Sequence, residues 1–572
     1  MLTSSKPTDN LQDLVRRQAQ LIEQQSAQIA LLTEQLAWLK RQLFGAKSER
    51  IVADLGQQSL PFAEAETAAA PVFCRQTGKP VARGGPLSPA ALSCRMRLSG
   101  PRRGGTDRIA KTLRAVRSPM AMQGGVMIRK LSMLLFLCLL TAGCARDLSG
   151  RDVRDLTLLP QNPKAYLAPE KAERPLVSAA EQQALAAAFL ENHFVAWEGA
   201  APLETTKNPF WALDWIGQQP AFAENLRPLD PARRDALILQ AAREAYPSRD
   251  RRAIALRRLD VRALPTGSPL FNDPGKAGEG FPFDTLQHGV LPPGVPLRVT
   301  HVSADGAWAF VETALLYGWV PLVDLAWVDE DFMAAYKTGR YLALTGDETA
   351  MADSADVYRL TVGIGALLPL LDSDGDGYRV LIPVADRERR AHLVEGSITA
   401  DRGGIFPLAF TAGQVAELAG KMMGQPYGWG DAFSGRDCSG TLRDLFAPFG
   451  LWLPRNSSRQ AQIGRVVRLA DLSPREREAR LLAEGEPFAT LVHLPGHILL
   501  YLGEREGRAA MLHTLWGLRT KDPKGREGRW LVGKTVITTL EPGLEAEGVT
   551  LDIGGLLERV DGMNFPLEPA GR

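Results

Sequence analysis

A short apolar run inside the chain separates two parts of different character. Residues 131–140 are apolar apart from one serine, follow the basic pair Arg129-Lys130, and lead through small residues to Cys144. A basic head, an apolar stretch of about ten residues and small residues before a cleavage point are typical of a secretory signal. The stretch is too short to span a bilayer as a permanent helix. The pattern therefore predicts export of the chain that follows.

The end of this segment, residues 140–144 with the sequence Leu-Thr-Ala-Gly-Cys, resembles the lipobox of bacterial lipoproteins. The resemblance implies cleavage before Cys144 and a diacylglycerol on its thiol, and hence a lipid-anchored protein of the cell envelope. Ala145 after the cysteine, instead of Asp, favours the outer membrane where a cell has one. The alternative is a buried apolar helix that ends in Gly-Cys. We take residues 127–144 as the signal peptide and Met127 as the natural start.

The segment before the signal begins with a heptad pattern over residues 11–44, which predicts a short parallel coiled coil or a solvent-exposed helix. Apolar residues recur every seven positions at Val15, Ile22, Ile29, Leu36 and Leu43, and Leu32 and Leu39 occupy the complementary heptad position. With its exit at residues 39–50, the segment resembles the zipper that opens one class of insertion-sequence transposases. No catalytic carboxylate domain follows, so transposition is not implied. We interpret residues 1–66 as a transposase-like remnant.

Charge is distributed unevenly along the chain. Residues 1–144 contain 20 Lys and Arg against 9 Asp and Glu, whereas the remainder contains 47 against 56. The larger, acidic part is therefore not expected to bind nucleic acid. Residues 71–126 contain 11 basic residues and one acid, with many Gly and Pro and no apolar period, a composition that cannot bury a core.

We accordingly predict a basic disordered linker at residues 67–126. One alternative is a basic arm that contacts nucleic acid, and another is translated intergenic or frame-shifted sequence. Under the second alternative, residues 1–126 are a remnant fused to a lipoprotein gene. Peptides from this segment in a mass spectrum of the native protein would contradict that interpretation.

The mature chain begins with a helical region at residues 145–254. Apolar positions at three-to-four spacing predict helices over Ala179–Val195 and Pro231–Ala245, and Asp230 is placed to cap the second helix. Residues 208–215 between them are rich in aromatic side chains. We expect this aromatic segment to pack on the domain that follows.

Residues 255–403 contain short alternating segments and tight turns, which fit two small barrels of the bacterial SH3 kind at 255–335 and 336–403. Asp305-Gly306 between two alternating segments predicts a hairpin. The acidic tip at residues 372–377 has the first six positions of an EF-hand loop. Its twelfth position is Pro383 instead of the bidentate Glu that closes the calcium cage. The tip is therefore predicted to be a hairpin turn.

A lone cysteine lies deep in the last part of the chain. Residues 410–423 have helical periodicity, a turn-rich loop spans residues 424–430, and a short helix is expected over residues 442–446. Cys438 then lies at or near a helix N-terminus, where the helix dipole favours the thiolate and lowers the thiol pKa. The alternative is a small buried hydrophobic residue.

Two histidines follow the cysteine by roughly 60 and 75 residues. His497 lies at the mouth of an apolar strand, residues 498–503, and His513 lies on the next apolar strand. On neighbouring antiparallel strands the second imidazole can orient the first, which supplies the base and the third group that a nucleophilic thiol requires. Zinc ligation is the competing interpretation, with His493 as a further ligand. The remaining histidines are expected to be structural: His193, His288, His301 and His392.

Four motifs in this order and spacing resemble the NlpC/p60 cell-wall cysteine peptidases, in particular members with a helical N-terminal domain and two bacterial SH3 domains. The motifs are residues 424–430, 437–440, 453–458 and 496–498. The resemblance spans about residues 160–560. It implies a papain-like α+β domain at residues 404–572 within a multidomain protein, with no cofactor. It also implies hydrolysis of the γ-D-glutamyl–meso-diaminopimelate bond in peptidoglycan stem peptides.

Carried over by matching motif positions, the resemblance makes Cys438 the nucleophile, His497 the general base and His513 the orienting residue. Tyr427 matches a loop tyrosine near the oxyanion and the substrate. One departure is residues 498–500, Ile-Leu-Leu, where relatives often have Val-Gly-Ile.

The resemblance also implies a substrate-binding set. Asp437 and Ser439 match residues that hold the α-amino group of an N-terminal L-alanine, and Ser457 belongs to a loop that lines the same cleft. Glu312 and Tyr317 of the first SH3 domain are further candidates without a firm alignment.

The leading hypothesis is therefore an exported, lipid-anchored, monomeric peptidoglycan hydrolase. A wall-peptide-binding SH3 lipoprotein with an inactive peptidase is the second hypothesis, and the intact Cys438, His497 and His513 set argues against it. A DNA-associated fusion through residues 1–126 is the third. A papain-like amidase that attacks the sugar–alanine amide is an alternative within the enzyme class.

Overall fold

The structure is a computed structural model, and it describes residues 152–198, 208–276, 278–544, 550–551 and 555–569. The predicted coiled coil, the basic segment, the signal peptide and the lipidation site Cys144 lie outside the described residues. None of the helices within the described ranges combines the length and the hydropathy needed to cross a membrane.

The N-terminal helical region begins with helices whose caps are encoded locally. Ser178 and Glu181 form a reciprocal capping pair at the start of the longest helix, and the Asp230 side chain accepts from two backbone N–H groups of the helix that follows it. The two predicted helices are therefore confirmed. The helices are α1 (Asp155–Leu158), α2 (Ala179–Glu198), α3 (Trp211–Gln218) and α4 (Pro231–Gln240), with 3₁₀ turns at Pro163–Tyr166, Pro169–Lys171 and Arg243–Ala245.

The first SH3-like barrel is a seven-stranded antiparallel sheet in the order β3-β2-β6-β5-β4-β1-β7. Its strands are β1 (Arg251–Ala255), β2 (Leu259–Arg262), β3 (Gln287–Leu291), β4 (Pro296–Val302), β5 (Trp308–Glu312), β6 (Tyr317–Pro321) and β7 (Leu325–Trp327), with a 3₁₀ turn at Leu322–Asp324. Strands β4 and β5 pair across the Asp305-Gly306 turn, as predicted. Because β1 begins at Arg251, the expected division before residue 255 falls inside a strand.

The second SH3-like region follows helix α5 (Glu330–Tyr336). Its strands are β8 (Tyr341–Leu344), β9 (Thr349–Ala352), β10 (Tyr358–Val362), β11 (Leu367–Ser373), β12 (Gly377–Ala385), β13 (Ala391–Thr399) and β14 (Gly403–Ile405). Five strands form a sheet in the order β13-β12-β11-β8-β14, and β9 pairs with β10. Ser373 pairs with Tyr378 across the acidic tip, so the predicted hairpin turn is confirmed.

The last domain packs helices on one antiparallel sheet. Its helices are α6 (Ala412–Met422), α7 (Cys438–Phe446), α8 (Ser457–Gln460), α9 (Pro474–Glu484) and α10 (Leu556–Arg559), with 3₁₀ turns at Trp429–Asp431 and Ala447–Phe449. The strands are β15 (Arg465–Arg468), β16 (Leu491–Leu494), β17 (His497–Arg505), β18 (Arg508–Lys521), β19 (Glu527–Thr538), β20 (Thr550–Leu551) and β21 (Gly562–Phe565). The sheet order is β15-β21-β16-β17-β18-β19, with β20 beside β18.

Helix α7 is held against this sheet by a shared apolar core. Leu442 and Phe446 on the helix belong to one buried cluster with Ile498 and Leu500 of β17 and Leu512 of β18. Full burial of each such side chain stabilises the fold by about 1.5–3 kcal/mol. The start of α7 is thereby fixed beside the strands that carry the two histidines, and the expected multidomain α+β fold is confirmed.

Helix α2 ties the domains together through large aromatic side chains. Phe189 meets Trp452 of the last domain at a ring distance of 5.2 Å, and Phe194 meets Tyr341 of β8 at 5.7 Å. The Trp197 indole N–H donates to a backbone carbonyl of β1 at 2.8 Å. The aromatic segment around α3 packs on the first barrel, as expected from the sequence.

Candidate active site

Cys438 is the first residue of α7, so its predicted place at a helix N-terminus is confirmed. Asp437 is the N-cap, and its carboxylate accepts from the Gly440 backbone N–H at 2.8 Å. The cysteine is 9% exposed and lines a cleft of about 920 Å³ that His497 also lines. The thiol is therefore accessible through this cleft.

The electrostatic surroundings of the thiol differ from the expected ones. Burial, followed by the negative charge of Asp437, raises the pKa of the Cys438 thiol to about 12. The backbone N–H groups of Ile498 and Ser439 act in the opposite direction but do not overcome burial. The expectation of a lowered thiol pKa is therefore wrong, because desolvation outweighs the helix terminus at this position.

The two histidines form a hydrogen-bond chain with Thr538. Nε2 of His497 lies 2.8 Å from Nδ1 of His513, and Nε2 of His513 lies 3.0 Å from the Thr538 hydroxyl oxygen. The Thr538 hydroxyl donates to the backbone carbonyl of Thr539 at 2.6 Å. Since its one proton is used there, the hydroxyl accepts from Nε2–H of His513.

This chain fixes the tautomer of His497. Burial holds the pKa of His513 well below its ordinary value, so the ring is neutral and Nδ1 accepts from Nε2–H of His497. Nδ1 of His497 then carries the free lone pair. Burial and then the charge of Arg559 lower the pKa of His497 to about 3. At neutral pH the site therefore holds a thiol and a neutral imidazole, not an ion pair.

Threonines connect the cysteine helix to the histidine strand. The Thr441 hydroxyl donates to the backbone carbonyl of Asp437 at 2.9 Å and contacts the Thr514 hydroxyl, which in turn lies 2.8 Å from the hydroxyl of Thr535. Thr514 follows His513 directly, and all three threonines are buried. The ladder restrains α7 relative to β18 and hence Cys438 relative to the histidines.

Asp437 and Ser439 are brought together by a buried arginine. Arg455 donates to Asp437 at 2.6 and 3.1 Å and to the Ser439 hydroxyl at 2.9 Å, and the Arg455 side chain is only 4% exposed. Arg455 also pairs with the fully buried Asp431. The charge of Asp437 is therefore already balanced by Arg455, a partner that the motif contained but that sequence reasoning did not assign.

Tyr427 and Ser457 both line the cleft. The Tyr427 ring lies 5.7 Å from the ring of Trp516. Burial, followed by the charges of Asp437 and Cys438, raises the pKa of the Tyr427 hydroxyl, which therefore keeps its proton and can donate a hydrogen bond across the physiological range. Ser457 is half-buried at the first position of α8.

The first barrel forms one wall of the cleft through Phe283, Gln287 and His288. Gln287 donates to the backbone carbonyl of Gly430 at 3.1 Å, and Nδ1 of His288 lies 3.1 Å from the carbonyl oxygen of Tyr317. His288, expected to be structural only, is thus part of the cleft. Nothing local in the sequence marks these residues, because they reach the site through domain packing.

Glu312 takes a different place from the one considered for it. Its carboxylate accepts from the Thr300 hydroxyl at 3.1 Å and from the Tyr246 hydroxyl at 3.3 Å, and burial raises its pKa. The side chain is 3% exposed and lies in the interior of the first barrel. Of the candidates from this barrel, neither Glu312 nor Tyr317 is among the described residues that line the cleft.

The second SH3-like region contacts the cysteine loop through an ion pair. Arg436 donates to Asp347 of the β8–β9 turn at 2.7 and 2.8 Å and to Asp444 of α7 at 2.7 Å. Burial alone would raise the pKa of Asp347, but Arg436 holds it below its ordinary value. Arg436 stands two residues before Cys438, so this pair restrains the approach to the site.

The remaining histidines have partners of their own. Nδ1 of His493 lies 2.7 Å from the Asp561 carboxylate, and Nδ1 of His301 lies 2.7 Å from the Ser248 hydroxyl. His392 contacts the Asp386 carboxylate at 3.1 Å. The pair with Asp561 occupies Nδ1 of His493, whereas its Nε2 is buried without a hydrogen-bond partner among the described residues.

Five family models match the chain. Residues 424–525 match the NlpC/P60 family, and residues 132–246 match the N-terminal NLPC_P60 stabilising domain. Residues 269–321 match an SH3 domain of SH3b1 type, and residues 329–375 match one of SH3b2 type. Residues 31–92 match the model described as transposase C of IS166 homeodomain. The transposase resemblance is thus confirmed, and it extends beyond residue 66.

One curated relative is the γ-D-glutamyl-L-lysine dipeptidyl-peptidase of Bacillus cereus (strain ATCC 10987 / NRS 248). It is 30% identical over 154 residues, which are 26% of this chain and 44% of the relative. The matched part therefore spans less than half the length of that protein.

Among solved structures, an NlpC/P60 endopeptidase from Photobacterium damselae subsp. piscicida superimposes with a TM-score of 0.65 at 25% identity. The match covers 72% of this chain and 97% of that structure, so the likeness extends across the domains as well as the site. Along the sequence, an NLPC_P60 stabilising domain, two SH3 domains and an NlpC/P60 domain follow one another, and the last of these contains Cys438, His497 and His513.

Proposed function

We propose that this protein is a peptidoglycan hydrolase, a thiol endopeptidase that cleaves the γ-D-glutamyl–meso-diaminopimelate bond of stem peptides. The observation that carries the proposal is the buried Thr538–His513–His497 hydrogen-bond chain, whose last member, His497, lines the same cleft as Cys438. This chain presents a neutral imidazole with its lone pair on Nδ1, as a general base for a thiol requires. The match of residues 424–525 to the NlpC/P60 family and the likeness to an NlpC/P60 endopeptidase support the same reaction class.

In the proposed first step, Nδ1 of His497 accepts the Cys438 proton while the sulfur attacks the γ-carbonyl carbon of D-glutamate. The carbonyl oxygen becomes an oxyanion, which accepts hydrogen bonds from the Cys438 backbone N–H and the Tyr427 hydroxyl. As the carbon–nitrogen bond breaks, the His497 imidazolium donates its proton to the leaving amine. A thioester to Cys438 and a free diaminopimelate amine result.

In the second step water attacks the thioester, and His497 accepts a proton from that water. The carbon–sulfur bond breaks, the thiol is regenerated and the γ-carboxyl group of D-glutamate is released. His513 acts as a positioning residue throughout, because its acceptor Nδ1 keeps the His497 proton on Nε2.

The raised thiol pKa and lowered imidazole pKa suit a mechanism in which proton transfer accompanies attack. Burial disfavours both the Cys438 thiolate and the His497 imidazolium before substrate binds. A charge separation becomes favourable only when the oxyanion and its donors are also present. The resting thiol is then protected from adventitious electrophiles.

The substrate set extends the proposal to the L-alanine end of the peptide. Asp437 and Ser439 are proposed to accept hydrogen bonds from its α-amino group while Arg455 balances the Asp437 charge. Ser457 contributes from the facing loop. The protein is proposed to act as a monomer in the cell envelope, anchored by lipid on Cys144.

The test is mass spectrometry of L-Ala-γ-D-Glu-meso-diaminopimelate incubated with the protein and, in parallel, with the Cys438→Ala variant. Release of L-Ala-γ-D-Glu by the unsubstituted protein alone is the expected result. Cleavage at another bond would redirect the proposal to a different papain-like amidase. If the protein binds the cell wall but cleaves neither this peptide nor intact sacculus, the proposed enzymatic activity is refuted.

A further inference from the structure

Besides Arg455, three arginines line the same cleft as Cys438 and His497. Arg519 comes from β18, Arg529 from β19 and Arg559 from the end of α10. The proposed mechanism uses none of their charges, and no motif of the sequence contains them. Their convergence on one cleft from three elements needs a separate explanation.

Repulsion between two of these arginines, Arg519 and Arg529, is expected to lower the stability of the fold. Arg519 and Arg529 are directly opposite each other in the antiparallel register of β18 and β19, and like charges in that position repel. Arg519 pairs with Glu527 at 2.9 Å. The Arg529 guanidinium lies 5.7 Å from the ring centre of Phe283 in the first barrel.

Arg529 is the arginine with spare hydrogen-bonding capacity. Its Nε is buried and has no hydrogen-bond partner among the described residues. Burial, followed by the charge of Arg519, lowers the pKa of Arg529, while the charges of Glu279 and Glu527 act in the opposite direction. A bound anion would relieve both the missing hydrogen bond and the repulsion.

Among the described residues that line the cleft, arginines outnumber acidic side chains. The acidic ones are Asp437, which is paired with Arg455, and Glu279, which accepts from the Asn272 amide at 2.9 Å. The charge of Glu279 also acts on Arg529, and Arg519 is paired with Glu527, so the remaining positive charge is shared by Arg529 and Arg559. Nη2 of Arg559 donates to the backbone carbonyl of Pro495 at 2.9 Å, which leaves its other N–H groups for a ligand.

We infer that Arg529, with Arg519 and Arg559, binds the side-chain carboxylate of diaminopimelate and makes the cleft selective for diaminopimelate over lysine peptides. This inference rests on the proposed function. The two residues differ at one group: diaminopimelate ends in an ammonium and a carboxylate, and lysine ends in an ammonium alone. Arginine recognises a carboxylate through parallel N–H donors, whereas the same cluster repels a lone lysine ammonium. The curated relative, by contrast, is named for a lysine peptide.

The test compares kcat/KM of the full chain for L-Ala-γ-D-Glu-meso-diaminopimelate and for the same peptide with L-lysine in the third position. A charge-assisted hydrogen bond in a desolvated site corresponds to about a 10- to 100-fold preference for diaminopimelate. Arg529→Gln is expected to reduce this preference to less than about threefold, mainly through loss of activity on the diaminopimelate peptide. Arg559→Gln gives a second, independent variant. The matched control is Arg468→Gln on the exposed face of β15, which should leave the preference unchanged.

Calorimetric binding of both peptides to the Cys438→Ala variant separates this inference from the proposed function. Preferential binding of the diaminopimelate peptide without cleavage by the unsubstituted protein would overturn the reaction but support the carboxylate site. Equal binding of the two peptides, or an unchanged preference in Arg529→Gln and Arg559→Gln, would overturn the inference even if both peptides are cleaved. Absence of binding to either peptide would overturn both.

Discussion

Alkylation of Cys438 by iodoacetamide should be slow at neutral pH and should accelerate steeply as the pH rises. The reagent attacks the thiolate, so its rate follows the thiolate fraction. With a thiol pKa of about 12, that fraction is about 1 in 100,000 at pH 7 and rises about 100-fold by pH 9. An ordinary exposed cysteine with a pKa of about 8.5 is about 3% ionised at pH 7, so Cys438 should react about 3,000-fold more slowly.

The assay follows the peptide that contains Cys438 by mass spectrometry after timed exposure between pH 6 and 9, which separates it from the chain's other four cysteines. The same peptide in urea-unfolded protein supplies the reference rate. Asp437→Asn provides a matched variant, because it removes the second cause of the raised pKa while an asparagine can still cap α7. Its alkylation at pH 7 should be faster than that of the unsubstituted protein.

A rate that is fast and nearly independent of pH between 6 and 9 would refute this reasoning. Such a profile belongs to a thiolate stabilised by an imidazolium, with a thiol pKa near 3–4. It would mean that the charge pair outweighs burial, and that His497 is protonated in the resting protein.

Three further predictions concern other parts of the fold. Replacing His513 by Phe should lower kcat about 10- to 100-fold with a smaller change in KM, since the imidazole orients the base without touching substrate; an unchanged kcat would contradict the hydrogen-bond chain. Asp347→Asn should destabilise the protein by about 1–3 kcal/mol in urea unfolding, because it removes one carboxylate partner of the buried Arg436. The control is Asp372→Asn at an exposed ion pair, which should change the free energy of unfolding by less than about 0.5 kcal/mol. Burial lowers the pKa of His193 to about 4, so the stability that its neutral form contributes is complete above pH 6.5 and is lost as the pH falls toward 4. His193→Phe should therefore reduce the loss of unfolding free energy between pH 7 and 4.5 by up to about 2 kcal/mol. Identical pH profiles of stability for the two proteins would contradict its buried neutral state.

The local parts of the site were accessible from the sequence. A capped helix start at Asp437-Cys438 and two histidines on adjacent apolar strands are encoded by short-range pattern. The structure places Cys438 and His497 in one cleft, with His513 buried behind His497. Thr538, which fixes the tautomer, lies 25 residues beyond His513 and had no motif of its own. The role of Thr538 follows only from the pairing of its strand with the strand that carries His513.

Long-range charge pairing was not accessible in the same way. Arg455 stood in a recognised motif, but its pairing with Asp437 depends on the packing of α8 and α7. The facing positions of Arg519 and Arg529 are an exception, because the sequence pattern alone could have predicted them. They lie symmetrically about the turn at residues 522–526, so a hairpin of that register places them opposite each other.

The misjudged thiol pKa shows why domain packing matters for the chemistry. The dipole at a helix N-terminus favours the thiolate, but at Cys438 burial and the charge of Asp437 outweigh both this effect and the charge of Arg455. Phe283, Gln287 and His288 of the first barrel line the same cleft as Cys438. We therefore expect the barrel to contribute to the desolvation of the thiol and hence to its reactivity. A substitution on the barrel wall is expected to alter the thiol pKa without touching any residue of the cysteine-histidine set.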